Sequence, residues 1–223
     1  MKIAIPVDEK TLESNVCASF GRTPYFLIHD IETKESAFID NSAAASTGGA
    51  GIKAAQTIVD NKANVLLTPR CGENAADVLK SADIKIFRTI SASAKDNIDN
   101  FIVAKIDGNV AGFLWFGTEY PMDMLEHTIL KEDIENCIYS EQIGVKREFQ
   151  GQHIGKELYG FLRNNYKDKG IIVFVNTAPE KNSASLSFHT TIGFKIVGEF
   201  YKKDFCGFKD YKANLLKSDK DIL

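Results

Sequence analysis

Short apolar runs alternate with amphipathic stretches through the first hundred residues, and few folds accept that order. "KIAIPV" opens the chain as a buried strand, and "YFLIHD" followed by "ESAFID" reads as a hairpin pair. "GIKAAQTIVDN" has helical spacing, with Ile52, Ala55, Ile58 and Val59 on one stripe. Strand "NVLLT", helix "NAADVLKSA", strand "IKIF" and helix "SAKDNIDNF" follow. Strands that alternate with helices predict an α/β layered domain with a largely parallel sheet. The small-residue stretch "NSAAASTGGAG" (41–51) is expected to be a mobile loop.

The second half changes character. "FIVAKIDGNVAGFLWFG" is two apolar strands joined by Asp107-Gly108-Asn109, a strong hairpin signal. A polar stretch, "TEYPMDMLEHTILKEDIEN", separates the pair from a long strand, "CIYSEQIGV". A glycine-containing turn and helix come next, then strand "IIVFVN", helix "NSASLSFHTTI" and two closing strands around "KIVGEFY" and "YKANLL". A chain of 223 residues is long enough for two domains, placed at 1–103 and 104–223. The net charge of −3 is spread evenly over both halves, which argues against nucleic acid as a partner. No apolar run is long enough to span a bilayer, and the start turns acidic too soon for a signal peptide, so the expected location is the cytoplasm, with no membrane partner. Cys17, Cys71, Cys137 and Cys206 form no CxxC pair, and in a reducing compartment they read as free thiols.

"FQGQHIGKEL" (149–158) is where chemistry first shows. An apolar strand ending at Val145 leads through a charged bend into this turn, and the helix beyond it carries Ile154, Leu158, Phe161 and Leu162 on a core-facing stripe. Residues Gln150 to Lys156 straddle the helix N-terminus, where unpaired N–H groups and the macrodipole favour an anion. Alone, the signal does not separate a phosphate loop from an ordinary strand–helix turn. With "PEKNSASLSFHTTIGF" downstream, residues 101–217 resemble the GNAT N-acetyltransferase superfamily. That family's acetyl-CoA loop, Q/R-x-x-G-x-G/A, reads here Gln150-Gly151-Gln152-His153-Ile154-Gly155, and its later motif runs from Asn182 through Phe188-His189 to Gly193-Phe194.

The resemblance implies a mixed-sheet α+β acyltransferase domain with acetyl-CoA as co-substrate and an amine, small or peptidic, as acceptor. It implies that Ile143, Gly144 and Val145 pair with the pantetheine arm, that the amides from Gly151 to Lys156 hold the pyrophosphate, and that Asn182 and Ser185 lie near the cofactor. Histidine at 153 stands where the family often has glycine. It either pays for a left-handed backbone, obstructs a phosphate, or pairs with one when protonated. Glu141 is placed as general base, with a solvated strand carboxylate as the alternative. His189 occupies the position of the family's usual tyrosine proton donor, as donor or as a packed, hydrogen-bonded residue. Tyr201 is the stand-in donor, with Tyr139, Tyr159 and Tyr211 as others. The match begins at the family's second strand, so the usual first strand and two helices are missing. Residues 118–136, the first domain, or a second copy in a homodimer would replace them.

The first half has a resemblance of its own. "SFGRTPYF" (19–26), "GGAGIKAAQ" (48–56) and "CGENAADVLKSADIKIF" (71–87) resemble the dinitrogenase iron-molybdenum cofactor biosynthesis family, NifX and the NifB C-terminal region. This implies a ribonuclease-H-like α/β fold associated with iron–sulfur-type or iron–molybdenum-type cluster precursors. Cys17, Cys71 and His29 are the weak ligand candidates, Ser19 stands where members often place histidine, and the expectation is no bound metal. The chain as a whole therefore reads as an N-acetyltransferase fused to a NifX-like domain. The alternative is a cluster- or anion-binding accessory protein whose acyltransferase-like half is silent.

Overall fold

Ile3 to Val7 are buried without a break along Lys2–Val7 (β1), as a strand covered on both faces requires. The computed structural model describes residues 1–205 and 207–219. In it β1 pairs antiparallel with Tyr25–Asp30 (β2) and parallel with Val65–Leu67 (β4). Ser36–Asp40 (β3) continues the sheet beyond β2 and Lys85–Phe87 (β5) beyond β4, in the order β3-β2-β1-β4-β5. The sheet is thus mixed rather than largely parallel, because the β2–β3 hairpin turns back along β1 and brings two antiparallel ladders with it.

Ala50–Asp60 (α1) and Glu73–Ser81 (α2) pack on one face of this sheet, and Ala94–Asp99 (α3) closes the unit. The buried stripe of α1 is Ala54, Ala55 and Ile58, whereas Ile52 is 46% exposed. At about 100° per residue Ile52 points more than a quarter turn off the stripe's centre, so the expected stripe was rotated too far. The stretch from Asn41 is not all loop. Asn41 caps a 3₁₀ turn over Ser42–Ala45, its Oδ1 accepting from Ala43 N at 3.1 Å while its Nδ2 donates to Thr23 O at 2.8 Å.

The chain divides into two compact units after Asn100. The second opens with Phe101–Ile106 (β6) and Asn109–Gly117 (β7), joined by Asp107 and Gly108 at φ 50° and 78°, the paired positive angles of a tight hairpin. Met122–Leu125 (α4), Thr128–Leu130 (β8), Cys137–Val145 (β9), Ile154–Asn165 (α5), Gly170–Ala178 (β10), Ser183–Thr191 (α6), Lys195–Phe205 (β11) and Phe208–Ser218 (β12) follow. The sheet order is β6-β7-β9-β10-β12-β11-β8. On one face α5 and α6 cover Leu114, Phe116, Ile138, Val173 and Leu216. The α5 stripe is Ile154, Gly155, Leu158, Tyr159 and Leu162; Phe161, expected on it, is 54% exposed.

The opposite face carries Tyr139, Ile172, Phe200 and Ala213, and residues 118–136 lie across it. Met124 packs on Phe200 and Ala213, and Ile134 on Cys137 and Leu215. This excursion, a polar separator in the sequence, reaches the far edge of the sheet, where β8 pairs antiparallel with β11. The Tyr120 hydroxyl pins its return, lying 2.9 Å from the carbonyls of Ile134 and Cys137 and accepting from Cys137 N at 3.0 Å.

Candidate active site

β9 and β10 are parallel neighbours for only three residues. The ladder runs Gly170–Cys137, Ile171–Ile138, Ile172–Tyr139 and stops. Beyond it β9 continues along β7 to Val145 and β10 continues along β12 to Ala178, so the two strands part. The hydrogen bond from Lys146 N to Ala111 O, 2.8 Å, sets the phase of the β7–β9 ladder. Antiparallel pairs alternate between bonded and non-bonded, so Gly144 bonds towards β7 while the peptide groups of Ile143 and Val145 aim into the opening between β9 and β10. Gln150 confirms this phase, since its Nε2 donates to Val145 O at 3.2 Å. Of the three residues expected to pair with an extended arm, two have the orientation to do so. Gly144 serves differently: a Cβ there would lie 2.8 Å from the Phe113 ring.

At the start of the opening the register slips. Trp115 faces Gln142 but Phe116 faces Ser140, leaving Glu141 as the extra residue of a β-bulge. The bulge keeps Ile138 and Ser140 before it, and Ile143 and Val145 after it, on the α5 face. A regular strand with this spacing would put one of these pairs on the opposite face.

At the other end of the opening lies the glycine turn. Gln150, Gly151, Gln152 and His153 are exposed, and Gly151 and His153 both have positive φ, 79° and 61°. His153 is the N-cap of α5, with left-handed backbone and no side-chain capping bond. The amides of Ile154, Gly155 and Lys156 therefore form an uncapped helix start, with Lys156 exposed beside it. Gly155 is required by packing, since a Cβ there would stand 2.7 Å from Phe188 Cζ.

Between the two ends runs a chain of hydrogen bonds among side chains with no exposed surface. Ser140 Oγ is 2.9 Å from the Tyr159 hydroxyl, which is 2.8 Å from His189 Nε2. His189 Nδ1 is 2.7 Å from the Ser185 carbonyl. A carbonyl only accepts, so Nδ1 carries the proton, Nε2 accepts from Tyr159, and Tyr159 accepts from Ser140. Burial holds the imidazole below its usual range and pushes the phenol well above its own. Burial thus favours the neutral form of His189, and both its nitrogens are engaged; its geometry is that of a packed, hydrogen-bonded residue. Asn182 and Ser185 support the same element. Asn182 Oδ1 caps α6 by accepting from Ser185 N at 3.0 Å, and Ser185 anchors the imidazole.

On the opposite face the Tyr139 phenol is pushed well up, first by burial and then by the Glu141 carboxylate beside it. Tyr201 is not with them. It lies on β11, three strand spacings or about 14 Å from β9, with its hydroxyl on Asp210 Oδ1 at 2.8 Å. Tyr211, one strand nearer on β12, bonds Asn176. In the first unit the thiols of Cys17 and Cys71 make weak contacts to the carbonyls of Ser19 and Gly72. Burial raises both thiols, the reverse of what a thiolate ligand needs. His29 is buried on β2, with Nδ1 2.9 Å from Ser36 Oγ. No group of three metal-ligating side chains comes together among the described residues, and Cys206 lies outside them. Nor is any helix among them long and apolar enough to cross a membrane.

Sequence reasoning did not pick out Ser140. The available signal was a small polar residue in the helix-facing phase of an otherwise apolar strand.

Comparison with known proteins gives two family matches. Residues 1–104 match the dinitrogenase iron-molybdenum cofactor family and residues 73–194 the acetyltransferase (GNAT) family. Residues 73–104 fall in both, and in the structure β5 pairs with β4 in the first sheet. The chain is 29% identical over 98 residues to the L-amino acid N-acyltransferase MnaT of Escherichia coli strain K12, covering 44% of this chain and 51% of that protein. It thus spans about half the length of that curated relative. Among solved structures, the apo orange protein of Desulfovibrio gigas is similar at 30% identity over 44% of this chain and 84% of that one, TM-score 0.43. Arabidopsis thaliana Naa50 with the bisubstrate analogue CoA-Ac-MVNAL is similar at 15% identity over 56% and 77%, TM-score 0.40. The first unit thus carries the expected likeness to the iron-molybdenum cofactor family, and the GNAT match takes in more than half the chain: the protein belongs to the acetyltransferase (GNAT) family.

Proposed function

We propose that the second unit transfers an acetyl group from acetyl-CoA to a primary amine. The observation that carries this reading is the parting of β9 from β10, with the peptide groups of Ile143 and Val145 aimed into the opening and an uncapped helix start at its end. An extended amide-bearing arm adds to such an edge as a strand would, and a pyrophosphate suits the amides from Gly151 to Lys156. Family membership and the likeness to an N-acyltransferase support the reaction class.

In this reading the thioester lies at the bulge. Glu141 takes the amine's proton, directly or through water, and the nitrogen attacks the carbonyl carbon. The C–N bond forms, the C–S bond breaks, and the thiolate leaves and is protonated by water. The reading assigns no proton to His189 or Tyr201. The acceptor approaches on the Tyr139 face, where residues 118–136 stand in for the family's missing opening elements. Calorimetry with acetyl-CoA tests the binding half, and the reading is lost if nothing binds at millimolar ligand. Thiol release against an amine panel tests the rest: Glu141→Gln should lower kcat by roughly 100-fold or more while acetyl-CoA affinity is kept.

A further inference from the structure

The Ser140–Tyr159–His189 chain begins and ends on different elements of the site. Ser140 is the first residue of β9 beyond the β9–β10 ladder and directly precedes the bulge at Glu141. Tyr159 belongs to the helix whose first turn faces the glycine loop. His189 belongs to α6 and is itself fixed by Ser185. Apolar packing of Ile154, Leu158 and Leu162 holds α5 against the sheet, but such contacts are non-directional and tolerate sliding along the helix axis. Two hydrogen bonds of 2.9 and 2.8 Å through one phenol do not.

From this we infer that Tyr159 is a positioning residue that fixes the axial placement of α5, and thereby the distance between the subsite for the pyrophosphate and the subsite for the thioester. The inference rests on the acetyltransferase reading. It differs from a proton-relay role because, with the imidazole neutral, Ser140 donates to Tyr159 and Tyr159 to His189, while the one imidazole proton, on Nδ1, points at the Ser185 carbonyl and away from Tyr159.

A cofactor that spans both subsites feels the distance between them; one that occupies only the thioester end does not. The test compares acetyl-CoA with acetyl-pantetheine, which lacks the pyrophosphate and nucleotide, in the full-length protein. Tyr159→Phe should raise the KM for acetyl-CoA about tenfold and leave that for acetyl-pantetheine within twofold. Ser140→Ala removes one arm of the chain without orphaning a donor, and should show the same selectivity at smaller size should the phenylalanine variant not fold. His189→Gln keeps an acceptor for the phenol and should retain wild-type kcat and pH profile. Equal losses with both thioesters, no loss with either, or a collapse of kcat in His189→Gln would overturn the inference. Failure of the wild-type protein to bind acetyl-CoA by calorimetry would instead overturn the transferase reading beneath it.

Discussion

His153 and His189 show how differently two histidines of one motif set can be used. His153 accepts a left-handed backbone, φ 61°, which glycine adopts without cost and histidine at a cost of about 1–2 kcal/mol. Its side chain is exposed and makes no capping bond to the helix start. His189 is sealed, and burial keeps it neutral. In the unfolded chain an imidazole takes up a proton as pH falls through about 6.5; in the folded chain His189 does so only at lower pH. The unfolded state then binds more protons, so the stability is fully present above that value and is lost as pH falls towards the folded-state pKa, with a slope of at most about 1.4 kcal/mol per pH unit. Trp115 is the single tryptophan and is fully buried in the second unit, so its fluorescence in urea reports that unit. Stability measured this way should decline from pH 7.5 to 5.5, and His189→Gln should flatten the decline; an unchanged slope would mean that folding does not shift the imidazole's pKa.

At the scale of elements, the close approach of β7 and β9 explains two glycines and yields a paired prediction. A Cβ on Gly112 would stand 2.8 Å from the Gly144 carbonyl oxygen, a backbone atom that cannot swing aside. Gly112→Ala should therefore destabilise the unit by about 1–3 kcal/mol and weaken acetyl-CoA binding, since it displaces the strand that presents Ile143 and Val145. Gly160, in the middle of α5, has nothing within 4 Å of a Cβ, and Gly160→Ala should stabilise by about 0.4–1 kcal/mol; urea titrations of both variants check the opposite signs. The same strands mark what could be read in advance. β9 was legible to its ends as "CIYSEQIGV", and the β6–β7 hairpin from its turn residues, because local period and turn chemistry are written in adjacent residues. The bulge at Glu141 was not, because a bulge is a relation between two strands and leaves no mark on either one. Nor was β8, whose three residues are too few to show a period.

For the whole molecule, the two family matches overlap across residues 73–104, yet α2 packs in the first core, β5 pairs within the first sheet, and the second sheet starts at Phe101. The second sheet takes no strand from residues 73–100. A fragment beginning at Phe101 should then bind acetyl-CoA within about threefold of the full chain (roughly 0.7 kcal/mol). A fragment that binds only when residues 73–100 are included would show that the longer match reflects a physical requirement. The excursion that closes the far edge of this sheet has a consequence for biosynthesis. Leu130 pairs with Gly198, so β8 leaves the ribosome about 70 residues ahead of its partner, a wait of about 4–14 seconds at roughly 5–20 residues per second. Through that interval Ile129 and Leu130 have no strand to lie on, and the nascent chain carries an unpaired apolar edge. The strap across the sheet thus waits longest for its partner strand, and in that interval it is where a chaperone or a stray neighbouring chain would find a hold.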